Sequence, residues 1–232
     1  MPTLLQRAAS AALDLVYPQR CLVCDGWGEA LCARCGRWLP RAVAPRCERC
    51  WEPGPSPCAA CARRALAFVA ARAACPMSGD ARMLVHALKY EGLTALAPAM
   101  AALLPAEAIS ETDVVIPVPL HRGRERSRGF NQAALLARAF AATHGLPYDA
   151  RAARRVRDTP QLARGMGRAE RRAAVAGAFA ARPALVDGRR VLLVDDVMTT
   201  GATLDACAQA LLDAGAAEVR ALVFARAGEE TA

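Results

Sequence analysis

Two adjacent carboxylates, Asp195 and Asp196, are followed at short range by Thr199, Thr200, Gly201, Ala202 and Thr203. The threonine hydroxyls and the loop N–H groups are donors for a phosphate. Gly201 lets the backbone come close or turn with positive φ. Acids repel a phosphate, so the two aspartates must serve another part of the same ligand, and sugar hydroxyls or a Mg²⁺ ion are the chemical candidates. The run Val191 to Val194 predicts a strand buried on both faces that ends where the acids begin. Leu204 to Ala214 has helical spacing, so the loop opens onto a helix N-terminus, where unpaired N–H groups and the dipole favour an anion. Neither a GxxxxGK[ST] loop nor a GxGxxG fingerprint is present. The competing reading is a strand ending in solvated acids that cap a helix.

A second set of chemistry-bearing residues lies near the N-terminus. Cys21, Cys24, Cys32 and Cys35 form two CxxC pairs, and Cys47, Cys50, Cys58 and Cys61 repeat them 26 residues later. Two knuckles supply four thiolates, which is the demand of structural Zn²⁺, so a double zinc ribbon with two ions is expected. Pairing within each repeat is inferred; crossed ligation between the repeats would use the same cysteines. A redox CxxC is expected once, beside a βαβ unit, and not four times in a loop-rich segment. Trp27, Trp38 and Trp51 are expected to pack against the knuckles rather than stack bases. Cys75 and Cys207 read as ordinary buried thiols.

The net charge of +8 comes almost wholly from arginine, because Lys89 is the single lysine. Thirteen arginines and four acids fall between His121 and Arg172. That stretch suits phosphate or nucleic acid, with Arg124, Arg126, Arg154 and Arg157 as contact candidates, and equally suits a solvated basic loop. Lys89 fits the last turn of a helix over Ala81–Leu88 capped by Gly92, and also fits a point charge reaching a pyrophosphate.

These groups need elements to hold them. Phe68–Cys75 predicts a strand and Leu93–Leu104 a helix. Asp113–Pro119 predicts a strand whose prolines confine it to an edge or an end. An arginine-rich loop, Leu120–Gln132, then leads into a helix over Ala133–Thr143 capped by Asn131 or Ser127. Arg154–Val156 and Ala176–Phe179 predict a hairpin with a basic tip, suited to a lid. Val219–Phe224 is the last strand, with Arg226 trailing away from it. Leu4–Val16 predicts a short amphipathic helix, not a signal peptide, and no run of 18 apolar residues occurs, so a cytoplasmic protein is expected.

The Asp195–Thr203 stretch resembles the 5-phosphoribosyl-1-pyrophosphate (PRPP) signature of type I phosphoribosyltransferases. With the four CxxC pairs, Leu88-Lys-Tyr-x-Gly92, Val118-Pro-Leu-His121, Arg128-Gly-Phe-Asn-Gln132 and Thr159-x-Gln161, the chain resembles the ComF family of competence-associated proteins. Ala174–Gly177 departs from the pattern where relatives often carry an Asn, so no amide role is carried over there. The resemblance implies an α/β fold of the type I phosphoribosyltransferase kind over residues 65–232, with a parallel sheet flanked by helices, behind a zinc-ribbon domain over residues 1–64. It implies PRPP with Mg²⁺ as ligand and a phosphoribosyl transfer in which Asp195 and Asp196 hold the ribose or assist a proton transfer. Thr199, Thr200, Gly201, Ala202 and Thr203 would hold the 5′-phosphate, and Lys89, Arg122 and Arg128 would meet the pyrophosphate. The biology implied is DNA uptake, with single-stranded DNA and other competence proteins as partners. The alternative is a non-catalytic single-stranded DNA-binding factor.

Overall fold

The computed structural model describes residues 19–109, 111–159 and 167–228. The predicted Leu4–Val16 helix and most of the basic tip after Thr159 lie outside them. At the centre is a parallel sheet of four strands in the order β1-β6-β5-β2, with β1 Ala70–Pro76, β2 Val114–Pro117, β5 Arg190–Met198 and β6 Glu218–Arg226. A smaller antiparallel pair, β3 Ala153–Arg155 with β4 Phe179–Ala181, lies outside this sheet. As the prolines anticipate, β2 lies at the edge of this sheet, with a parallel bridge from Val115 to Tyr148 beyond it.

Strand alternation divides the interior into two cores. Leu192, Val194, Leu222 and Phe224 face the helices Gly79–Tyr90, Leu96–Ala101 and Gln132–His144. Val191, Leu193, Ala221 and Val223 face the helix Ala202–Asp213 and the β3–β4 hairpin. Covering both faces is why β5 and β6 read as continuous apolar runs. Asn131 settles the capping choice for the Gln132–His144 helix: its Oδ1 accepts from Ala133 N at 3.0 Å while its Nδ2 donates to Val118 O. Gly92, at φ 69°, follows the Gly79–Tyr90 helix, as the Lys89-Tyr-Glu-Gly run anticipates.

Three sequence expectations are corrected. Strand β5 does not stop at Val194; it continues through both aspartates to Met198, because Asp195 and Val197 remain in register with Val223 and Ala225. The Leu120–Gln132 segment is not an open loop but contains a helix, Arg122–Arg128, capped by His121 and ended by Gly129 at φ 84°. Arg226 does not trail away. It ends β6 and is 2 % exposed.

The cysteine repeat is also a structural repeat. Cys21 N donates to Gly26 O and Cys47 N to Glu52 O; Arg20 bridges Trp27 and Arg46 bridges Pro53; helices Ala33–Trp38 and Ala59–Arg63 close the two units. Asp25 and Trp51, at φ 57° and 58°, make the same left-handed turn in each unit. Each unit gathers its own four sulfurs within 4.8 Å of one another, so pairing is within repeats. The separations of Cys24 from Cys32, 3.8 Å, and of Cys50 from Cys58, 3.5 Å, suit a Zn–S bond of about 2.3 Å, which makes the tetrahedral edge about 3.8 Å. Burial would push the Cys21 and Cys47 thiols up. Three backbone N–H groups at each, including those of Cys32 and Cys58 at 3.4 Å, outweigh it and bring both down to about 6.

The tryptophans do not pack on the sulfur clusters as expected: Trp51 packs on the core around Ala42 and Phe68, and the other two are exposed. Trp51 is half-buried, donates Nε1–H to Ala42 O at 2.9 Å and lies under the Arg72 guanidinium. Trp27 and Trp38 are 62 % and 81 % exposed, with Arg20 over the Trp27 ring. Their knuckles face outward because the first unit already buries Cys21, Leu31, Cys35 and Leu39 against the domain core. Cys75 and Cys207 are buried thiols, as expected.

Metal analysis of the purified protein should find about two zinc ions per chain, and Cys47→Ser should lower this to about one with a fall in melting temperature. A metal content unchanged by that substitution would contradict the two-site arrangement.

Candidate phosphoribosyl site

Both aspartates sit on the last turns of β5, at the carboxyl end of the sheet, where α/β folds bind ligands. Asp195 is 9 % and Asp196 2 % exposed. The Lys89 Nζ, on the last turn of the Gly79–Tyr90 helix, lies 2.6 Å from Asp196 Oδ2. The Gln132 amide also faces Asp196, and Gln132 Oε1 accepts from Arg128 at 2.6 Å, so one chain of polar contacts links Lys89, Asp196, Gln132 and Arg128.

Burial opposes ionisation of both acids, but they end differently. Burial and then the Asp196 charge push the Asp195 carboxyl well above the usual carboxylate range. At Asp196 burial is outweighed by the Lys89 ammonium, with help from Asp195 and Gln132, and its carboxyl is held below that range. The site therefore has one stable carboxylate, one reluctant one and a single ammonium between them. Two carboxylates do not form a Mg²⁺ cage, and Mg²⁺ keeps waters and ligand phosphates in its shell, so these residues fit a Mg²⁺ that arrives on a phosphorylated ligand.

The phosphate-loop candidates follow directly. Gly201 takes φ 78° as the residue before the Ala202–Asp213 helix; a Cβ there would be 3.6 Å from both Met198 Sδ and Phe68 Cζ. Thr200 Oγ1 accepts from Ala202 N at 3.4 Å, and Thr199 Oγ1 from Arg171 at 3.2 Å. Arg171 comes from the helix Arg168–Val175, on the basic segment between β3 and β4. Ala202 is buried and Thr203 half-buried at the start of the following helix.

The arginine candidates separate into two clefts. One, of about 550 Å³, is lined by Lys89, Tyr90, Arg124, Ser127, Arg128 and Phe130. Here Arg128 lies over the Tyr90 ring, 5.5 Å from its centre. The other, of about 530 Å³, is lined by His121, Arg122, Arg151, Arg154, Arg155 and Arg182 among others. Arg122 thus does not join Lys89 and Arg128, because the Arg122–Arg128 helix turns opposite faces to the two clefts. Arg126 is exposed and donates to Arg122 O, and Arg157 spends its guanidinium on the Ala174 and Ala176 carbonyls. Arg155 had no signal in the sequence beyond its neighbours. It is packed over Phe179 and donates to Thr159 Oγ1, with its Nε buried and unpartnered; burial and then the Arg124 charge weaken its hold on its proton.

A double zinc ribbon domain model matches residues 12–62, and a phosphoribosyl transferase domain model matches residues 105–232. The "DNA utilization protein YhgH" of Salmonella typhi is 31 % identical over 229 residues, covering 91 % of this chain and 99 % of that one. The chain belongs to the ComF family. "Competence protein F" of Haemophilus influenzae is 36 % identical over 117 residues, covering 50 % of this chain and 51 % of that relative. "Competence protein ComFC" of Bacillus subtilis is 34 % identical over 104 residues, covering 45 % and 40 %. This ComF-family chain therefore has a type I phosphoribosyltransferase domain with a parallel sheet flanked by helices, joined to an N-terminal double zinc ribbon. Among the described residues, no helix is long and apolar enough to cross a membrane.

The pair of acids gives a stability test. A carboxyl whose folded pKa is raised makes the fold progressively less stable as pH climbs from its unfolded value towards the folded one. Asp195→Asn keeps the Oδ1 acceptor that Asp196 N uses at 2.8 Å and removes the charge. It should raise the melting temperature of the ligand-free protein by a few degrees, about 1–2 kcal/mol at about 2–4 °C per kcal/mol. The advantage should grow as pH rises above the ordinary carboxylate range. Lys89→Met should do the reverse and cost about 3 kcal/mol, by leaving Asp196 buried without its counter-charge. Chemical denaturation of the three proteins side by side checks both signs.

Proposed function

We propose that this chain binds PRPP with Mg²⁺ at the carboxyl end of β5 and acts in DNA uptake. The observation that carries this reading is the Lys89–Asp196 pair at 2.6 Å, set between the Asp195 carboxyl, the Gly201 turn and the cleft holding Arg124 and Arg128. A single phosphate would use the loop alone. A ligand that also carries a sugar diol and a second anionic group uses all three parts. The names of the relatives, "Competence protein F" and "DNA utilization protein", support placing that ligand in the handling of incoming DNA.

In such a site the loop from Thr199 to Thr203 anchors the 5′-phosphate through N–H and hydroxyl donors. Asp195 and Asp196 accept from the ribose hydroxyls and favour positive charge at C1′. Transfer forms a bond from an acceptor nitrogen to C1′ and breaks the bond to pyrophosphate, through an oxocarbenium-like transition state. Arg124, Arg128 and Lys89, which line one cleft, draw the pyrophosphate away as its charge grows. When bound, Mg²⁺ would supply further charge neutralisation on the leaving group. The reluctant carboxyl of Asp195 suits a group that takes up the acceptor's proton.

A second reading has its own observation. The arginine-lined cleft around Arg154 and Arg155 offers a concentration of positive charge to single-stranded nucleic acid.

Thermal shift with PRPP and Mg²⁺ tests the first reading. At a hundredfold excess over Kd the gain should be about 2.7 kcal/mol, and Asp195→Ala with Asp196→Ala should abolish it. A wild-type protein that PRPP does not stabilise sinks the proposal. For the second reading, affinity for a single-stranded oligonucleotide should fall steeply with salt, and Arg154→Ala should flatten the slope by about one ion. A slope untouched by the substitution removes that cleft from consideration.

A further inference from the structure

Arg226 is the largest fully buried side chain among the described residues, and its contacts join two parts of the molecule that the sequence keeps far apart. Its Nε donates to the carbonyl of Cys50, a sulfur donor of the second zinc cluster, at 3.1 Å. One terminal nitrogen pairs with Glu52, the next residue but one in the same knuckle. The other donates to the carbonyls of Met198, at 3.3 Å, and Thr199, where β5 turns into the phosphate-loop candidate, and to Ala227 O. Packing alone does not explain an arginine here. An apolar residue would fill the position without the cost of burying a charge, and a buried ion pair is weak evidence for added stability. The planar fork of a guanidinium is suited to holding several carbonyls in one arrangement.

A second fastening reaches the same loop from its other side. The chain leaving the second ribbon runs through Arg64 to Phe68. Asp205, on the first turns of the Ala202–Asp213 helix, accepts from Ala67 N at 2.7 Å and pairs with Arg64 at 3.1 Å. Phe68 is fully buried and its ring lies against Gly201. The loop between Met198 and Ala202 is thus gripped at both ends by residues fixed to the Cys47–Cys61 unit. The first unit packs elsewhere: Arg41, which follows its helix, donates to Leu103 O at 2.8 Å, and Leu103 lies against Gly36.

We propose that Arg226 is a positioning residue that couples the second zinc cluster to the phosphate loop, so that metal bound by Cys47, Cys50, Cys58 and Cys61 sets the loop's order and its affinity for PRPP. The coupling to affinity rests on the PRPP reading above; the coupling to loop order does not. Losing the metal frees the Cys50–Glu52 knuckle, Arg226 loses two of its anchors, and the Met198 and Thr199 carbonyls lose a common donor. Among the described residues, the contacts of the first unit lead to Leu103 and the helix-side core instead.

The test uses the full chain and two measurements, hydrogen exchange at the amides of residues 199–203 and PRPP·Mg²⁺ affinity by calorimetry. Cys61→Ser disables the second cluster without touching an Arg226 partner, and Cys35→Ser disables the first as a control. Cys61→Ser and Arg226→Met should each speed loop exchange and weaken PRPP about tenfold, and the double variant should be no worse than the poorer single one, as expected for two steps of one linkage. Cys35→Ser should leave both quantities within about twofold of wild type. Arg226→Lys, which keeps the charge for Glu52 but not the fork, should fall between. Additive effects in the double variant, or loop exchange in Arg226→Met equal to wild type, would overturn the coupling. So would exchange in Cys61→Ser that rises equally in the loop and in β1. If Arg226→Met does not fold, Glu52→Gln replaces it, with a smaller increase confined to the same amides. A wild type that ignores PRPP while its loop still responds to Cys61→Ser would sustain the coupling and remove the PRPP reading instead.

Discussion

Strand β5 is paired on both edges and covered on both faces, and it nevertheless carries two carboxylates to its end. That constraint organises everything around it. A buried charge must be compensated, so Lys89 is brought in from the helix Gly79–Tyr90, and Gln132 from the helix Gln132–His144. Only one of the two acids is compensated. Asp195 keeps the cost of burial and of its neighbour's charge.

The two clefts show how one short helix distributes a basic sequence. Arg122–Arg128 places its four arginines at steps of two residues, and successive steps of two on a helix turn the side chains through about 200° each time. Arg124 and Arg128 consequently line the cleft with Lys89, while Arg122 lines the cleft with Arg154, Arg155 and Arg182. As a loop the same residues would all have been free to converge on one anion. As a helix they serve two surfaces, and the charge that looked like a single patch becomes two.

The zinc ribbons stand in a similarly divided relation to the rest. Both units follow one sequence rule and one backbone course, down to the left-handed residue before the returning strand. Their environments differ. The first lends its cysteines and leucines to the core beside the helices and leaves Trp27 and Trp38 in solvent. The second buries its four sulfurs and hands a carbonyl and a carboxylate to Arg226. A repeat with identical ligands has thus acquired one half that supports and one half that reaches the site.

The sequence by itself determined what depends on local chemistry and on periodicity. The eight cysteine ligands followed from spacing, since a knuckle is a local structure. The apolar runs of β5 and β6 followed from burial on both faces, the β2 edge from its prolines, and the turn into the Ala202–Asp213 helix from Gly201. Only the tertiary structure decided what depends on meeting across the chain. That Lys89 meets Asp196 needs a helix and a strand far apart in the chain to converge. That β5 runs past its acids depends on β6 continuing to pair with it. Arg226 shows the limit most plainly: at the end of an apolar run it has no local signal, and its partners Cys50, Glu52, Met198 and Thr199 come together only when ribbon and sheet have packed. Periodicity reports which face of an element is buried, and it carries no information about which distant carbonyl a buried charge will find.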